Sequence, residues 1–186
     1  MAKSQRIGVS REQRISALCA TGCGILALGV PICVVTLWAL APWEILALVR
    51  LIPPDILYDM GTSVLLWQRV AGALICLVPA LLLSYGLLRA RRSLSAFKRG
   101  DFFGAEVIGG LRGYAAATFW AAVAGVVSVP VLSVVITLAN APGHKELSLD
   151  LSGAQILNLL GAAILWVIAS AMARASSLAR ENEQFV

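Results

Sequence analysis

Four long apolar stretches organise the chain: Ala17–Leu40, Val70–Leu88, Tyr114–Ala139 and Ile156–Met172. None contains Asp, Glu, Lys, Arg or His. A helix needs about 20 largely apolar residues to cross the hydrocarbon of a bilayer. The runs are continuous, whereas the strands of an outer-membrane barrel alternate apolar and polar residues. The pattern predicts an all-α, polytopic membrane protein with four transmembrane helices in a single membrane domain, 1–186. Residues 41–69 and 140–155 become outer loops, and 89–113 the central loop on the other side.

The connections carry their own patterns. Trp43–Ile52 is mostly apolar and is followed by Pro53-Pro54, which suits a short helix lying in the headgroup layer. Asn140-Ala141-Pro142-Gly143 reads as a turn, and Glu146–Ser152 alternates like a short strand. Ser152 and Gln155 have the spacing of a capping box at the start of the fourth helix. Arg89–Arg99 can extend the second helix until Gly100 breaks it. Asp101 can cap a further helix that runs through Leu111 and Arg112 into the third span.

The distribution of charge sets the orientation. Lys3, Arg6, Arg11, Arg14, Arg89, Arg91, Arg92, Lys98, Arg99, Arg112, Arg174 and Arg180 fall on one side. Arg50, Arg69 and Lys145 fall on the other. Cytoplasmic loops are enriched in Lys and Arg, so the side with twelve is expected inside. Both termini are then cytoplasmic, which requires an even number of spans. With five acidic residues on each side, the inner face carries +7 and the outer face −2, and the two sum to the chain's +5. An apolar fraction of 59% and a charged fraction of 13% exclude a disordered chain and an ordinary soluble domain. The net positive charge is therefore a topology signal, and no direct contact with nucleic acid is expected. Ala39-Leu40-Ala41 resembles a signal-peptide cleavage site, but the run before it far exceeds the 7–15 residues or so of a signal peptide's apolar region. The first span is expected to remain uncleaved.

Chemistry is sparse within the spans. Pro31, Pro79 and Pro130 lie near the middle of three of them and should kink their helices, either to shape the bundle or as hinges for gating. Proton relays and ion-coupled sites need ionisable residues in the membrane, and the four windows hold none. Ala20 and Gly24, the row Ala117, Ala121 and Gly125, and the row Gly161, Ala169 and Ala173 are small residues on common faces, suited to close helix packing. Packing within the chain is the expected use, and a homo-oligomer is the alternative. Cys19, Cys23, Cys33 and Cys76 fall inside spans, and with His144 as the single histidine no metal and no cofactor are expected. Trp38, Trp43 and Trp67 are expected in the headgroup belt, with Trp120 and Trp166 deeper as packing residues. Asp55 and Asp59 form the best carboxylate pair, but Pro53-Pro54 before them makes a helix start the simpler meaning. No catalytic constellation is visible, and a non-enzymatic protein is expected.

The candidate functional surface is the basic side. Arg91, Arg92, Phe97, Lys98, Arg99, Gly100, Asp101, Phe102 and Phe103 form its central loop, and Leu178, Glu181, Asn182, Glu183 and Phe185 belong to the C-terminal tail. Basic clusters beside a membrane gain on the order of 1 kcal/mol per charge at an anionic leaflet. The expected partner is therefore an anionic inner leaflet, and docking of a cytoplasmic protein is the alternative.

Phe97-Lys98-Arg99-Gly100-Asp101-Phe102-Phe103, the following Leu111-Arg112-Gly113, and the ending Leu178-Ala179-Arg180-Glu181-Asn182-Glu183-Gln184-Phe185-Val186 carry a resemblance. With four spans and cytoplasmic ends, the chain resembles the bacterial membrane proteins grouped as domain of unknown function 2975. The resemblance covers nearly the whole chain, and the outer loops carry none of it. It implies a bacterial cytoplasmic (inner) membrane protein. Some members of that family are encoded beside small helix-turn-helix regulators, which implies a role as the membrane partner of such a cytoplasmic regulator protein, or as a sensor. The function expected is a regulatory or scaffold protein. A small transporter, channel or permeability factor is the alternative.

Overall fold

The computed structural model describes residues 2–42, 45–46, 65–98, 104–137 and 153–183, and within these the side chains except those of 2–14, 97–98, 105, 137, 154–155, 176 and 178–183. It contains four long helices: α1 (Ala2–Leu40), α2 (Leu66–Lys98), α3 (Ala105–Thr137) and α4 (Gly153–Glu183). All four are long and apolar enough to cross a membrane, over Ile15–Leu40, Leu66–Ala96, Glu106–Ile136 and Ile156–Ala175. The chain is an all-helical, multi-pass membrane protein by the length and composition of these helices. The strand-like 146–152 and most of the expected interfacial helix lie outside the described residues.

The helices pack in chain order. α2 lies between α1 and α3, and α4 packs on the far side of α3. Among the described residues α1 and α4 make no comparable contact, so the bundle is an open layer. α1, α2 and α3 run antiparallel in turn. Ser16 at the start of the first span donates to the Leu94 carbonyl near the end of α2 at 2.6 Å. Ser93 of α2 donates to the Val107 carbonyl in the first turns of α3 at 3.1 Å. The start of α1, the end of α2 and the start of α3 thus share one end, called here the basic end, and the same alternation carried on to α4 would bring its end there as well.

The apolar core sits toward the opposite end. Trp38, Ala41, Leu46, Cys76, Leu132 and Ile136 are buried together, bringing α1, α2, α3 and the chain just after α1 into contact. Trp38 was expected in the headgroup belt, yet it is only 1% exposed. Gly72 of α2 explains the difference, because a β-carbon there would fall onto the Trp38 ring. The missing side chain is the slot that the indole fills. Leu46 is fully buried as well, so this part of the connection after α1 turns into the bundle.

Between the two ends small residues make the helix contacts. Ala20, Ala27, Ala80, Ala115, Ala117, Ala121, Ala162 and Ala169 are buried. In lipid, helices associate through close packing of such residues, since apolar surface gains little by leaving the acyl chains. The expected rows hold at Ala117, Ala121 and Ala169. They do not hold at Gly125 and Gly161, where a β-carbon would meet open space. Leu18, Leu28, Leu74, Leu157 and Val167 face outward, as lipid-facing side chains do.

Polar side chains finish the helix ends away from the basic end. Leu65 precedes α2, and its carbonyl accepts from the Gln68 and Arg69 amides at 3.0 and 3.2 Å. The Gln68 side chain returns the bond, with the Leu65 amide donating to its Oε1 at 2.9 Å. This is the return half of a capping box. Gln68 Nε2 also donates to the Ile136 carbonyl at the end of α3, at 2.8 Å. The neighbouring Arg69 donates to the Trp38 and Ala41 carbonyls at the end of α1, at 3.3 and 3.1 Å. Two adjacent residues thus satisfy carbonyls that the ends of α1 and α3 would leave bare.

Pro31, Pro79 and Pro130 each lie inside one continuous helix. By helix geometry they free the carbonyls of Ala27, Ile75 and Val126. The hydroxyls of Thr36, Ser84 and Ser128 bond their own helices elsewhere, at Ile32, Ala80 and Ala124. α3 begins at Ala105, and the Gly104 carbonyl accepts the first amides, from Val107 and Ile108, at 3.1 and 3.2 Å. Gly104 therefore directly precedes this helix, and Asp101, the expected cap, lies outside the described residues.

Candidate functional site at the basic end

The candidate residues divide by how far the structure describes them. Arg91 and Arg92 are exposed on the last turns of α2. Phe97 and Lys98 end that helix, and Leu178, Glu181, Asn182 and Glu183 lie on the last turns of α4. Arg99, Gly100, Asp101, Phe102, Phe103 and Phe185 lie outside the described residues.

Arg91 turns toward α1. A β-carbon on Gly24 would lie 3.0 Å from its Nη1. Side chains lean toward the N-terminus of their own helix. For α2 that direction leads from the basic end into the membrane. Gly24 is seven residues inside the first apolar window, about 10 Å along α1. The windows themselves hold no charge, but this guanidinium reaches beside one of them. Spacing along the sequence could not show it, because the reach comes from a neighbouring helix.

Arg89 is held differently. Its aliphatic stem lies against Gly113 of α3, with Cγ 3.3 Å from where a β-carbon would stand. Its Nε donates to the Tyr85 hydroxyl at 2.9 Å, and the guanidinium lies 5.1 Å from the Tyr85 ring centre. Gly110 brings α3 close to α2 at the same level, leaving no room for a β-carbon against Ser93.

The third arginine faces α4. The Arg112 guanidinium carbon stands 5.0 Å from the centre of the Trp166 ring. Among the described residues no carboxylate pairs with it. Next to it, α3 and α4 enclose an apolar crevice of about 410 Å³. The buried Ala115 and Ala162 form its floor, and Ala116, Ala163, Phe119, Trp120, Trp166 and Val167 line its sides. Trp120 and Trp166, expected to pack, are 59% and 40% exposed. The signal for this crevice in the sequence is the run of paired alanines between bulky aromatics, at matching depths in two adjacent spans.

No protein-family profile, curated protein or solved structure matches the chain.

Proposed function

We propose that the chain is a non-enzymatic regulatory or scaffold protein of the bacterial cytoplasmic membrane, with both termini inside, and that its basic end docks a cytoplasmic protein. One observation supports this above others: the helices overrun their apolar windows at that end. α2 continues ten residues past Leu88, about 15 Å. α4 continues eleven past Met172, about 17 Å. α1 begins fifteen residues before Ala17, about 22 Å. At the other end α2 and α4 start only four and three residues before their windows. A protein that merely filled a bilayer would have no use for helical extensions on one side. Arg92, Phe97, Lys98, Leu178, Glu181, Asn182 and Glu183 lie on these extensions, as basic, aromatic and acidic groups that a folded partner can read.

Membership of the domain of unknown function 2975 family is part of this proposal, as is a small helix-turn-helix regulator as the partner. The test is first to read the genes beside this one for a small helix-turn-helix regulator, and then to titrate the full-length protein, in nanodiscs, with it. Saturable binding is expected, and Arg92→Glu together with Lys98→Glu should weaken it about tenfold or more, since like charges across an interface are costly. Failure to bind, or binding untouched by the charge reversals, would sink the proposal.

A further inference from the structure

We infer that the crevice between α3 and α4 is a binding site for one anionic phospholipid, with an acyl chain lying between the helices and the phosphate at Arg112. Four observations converge. The crevice is apolar, with alanine floor residues such as Ala115 and Ala162 that are 0% and 1% exposed. Its walls are aromatic: Phe119 and Trp120 stand edge to face at 5.8 Å, and Trp166 closes the opposite side. Arg112 stands over Trp166, where the indole face stabilises the cation but neutralises none of its charge. Finally, the levels match. The floor begins at Ala115, one turn deeper in the membrane than Arg112, and reaches Trp120 about 12 Å below it. A phospholipid has the same layout, with its phosphate at the hydrocarbon boundary and its chains directly beneath.

Charge decides the lipid class. A zwitterionic headgroup carries its own cation, which offsets the pull of the guanidinium on its phosphate, and among the described residues no carboxylate stands beside Arg112 to receive that cation. An anionic headgroup brings no such cation. Helix faces open to the acyl chains exist elsewhere on α1 and α4, but among the described residues this crevice combines a recessed alanine floor with a free guanidinium at its rim.

The test uses the full-length protein in phosphatidylcholine nanodiscs containing a small fraction of lipid with brominated chains, either phosphatidylglycerol or phosphatidylcholine. Bromine quenches tryptophan on contact, and Trp120 and Trp166 face the crevice. One basic contact of about 1 kcal/mol predicts roughly a five-fold preference for phosphatidylglycerol. Arg112→Gln should abolish the preference, Arg112→Lys should keep it, and Arg92→Gln should leave it unchanged. Ala163→Phe, which intrudes into the crevice, should reduce quenching by both lipids, and Trp166→Phe should reduce the lipid-dependent signal to the share read by Trp120. Arg112 is exposed, so its replacement leaves the helix contacts in place. Equal quenching by the two lipids would overturn the inference. So would a preference that survives Arg112→Gln, or native mass spectra showing this face sealed by a second copy of the chain without bound lipid.

Discussion

A β-carbon on Gly72 would land on three atoms of the Trp38 ring, and Trp38 has no route to the surface. Gly72→Ala should therefore cost about 1–3 kcal/mol through overpacking, despite alanine's better helix propensity. Gly29 is the matched control, because a β-carbon there meets nothing within 4 Å. Gly29→Ala should be neutral or stabilising by up to about 1 kcal/mol. Unfolding by a denaturing detergent titrated into mild micelles measures both. Adding Trp38→Phe to Gly72→Ala should recover part of the loss, since residues in contact are not additive. A Gly72→Ala variant as stable as the parent would show that the indole does not need the slot. The sequence alone leads to the opposite expectation for Trp38, because a tryptophan at the end of an apolar run belongs in the headgroup belt. What moves it inward is a glycine thirty-four positions away, a pairing that no local pattern encodes.

The helices themselves were legible. Apolar runs of the right length announce each one, and the extension of α2 to Lys98 follows from unbroken helix-forming residues before Gly100. Which face meets which neighbour was not. A soluble helix shows its buried face by contrast with a polar one, but a helix in lipid is apolar all round, and periodicity loses its meaning. The small residues partly replace that information: Ala117 and Ala121 mark the buried side of α3, while Gly125 on the same row marks nothing. The ends of the helices were the least legible. Gln68 reads as an ordinary polar residue beside a span, yet it is 1% exposed and joins the start of α2 to the end of α3. Gln68→Leu should leave the Ile136 carbonyl and the Leu65 amide without these partners, at a cost of about 1–3 kcal/mol. Gln68→Glu keeps the acceptor for Leu65 but, when ionised, sets a buried carboxylate against the Ile136 carbonyl, and should cost at least as much as the leucine variant. The same detergent titration decides it. Equal stability of all three proteins would mean that water or lipid headgroups satisfy these groups as well as Gln68 does.

At the scale of the molecule, the serial packing of α1 to α4 makes orientation a single choice. Once one helix is placed, the alternation of α1, α2 and α3 fixes its neighbours, and the same alternation carried on to α4 would bring both ends of the chain to one side. The two faces differ by twelve basic residues against three, and each basic residue on the trailing side must cross the membrane during insertion. The basic face also holds the long helical extensions, whose polar residues gain nothing in hydrocarbon. Arg91 sharpens the argument, since its guanidinium reaches toward the membrane beside Gly24 while its backbone stays at the basic end. It is the aliphatic stem, not the position of the residue, that brings charge near the apolar layer. The expected arrangement is therefore N-inside and C-inside. With the four native cysteines replaced by alanine, Ser4→Cys and Ser177→Cys should react with a membrane-impermeant maleimide only in inverted vesicles. Ser148→Cys should react only in right-side-out vesicles. If Ser4→Cys and Ser177→Cys label from opposite sides, the number of crossings is odd and the antiparallel order of the helices is wrong. If all three labels are reversed, the packing stands but the basic face is external. An external basic face would remove the cytoplasmic partner while leaving the phospholipid crevice between α3 and α4 intact, so the two proposals separate cleanly in this one experiment.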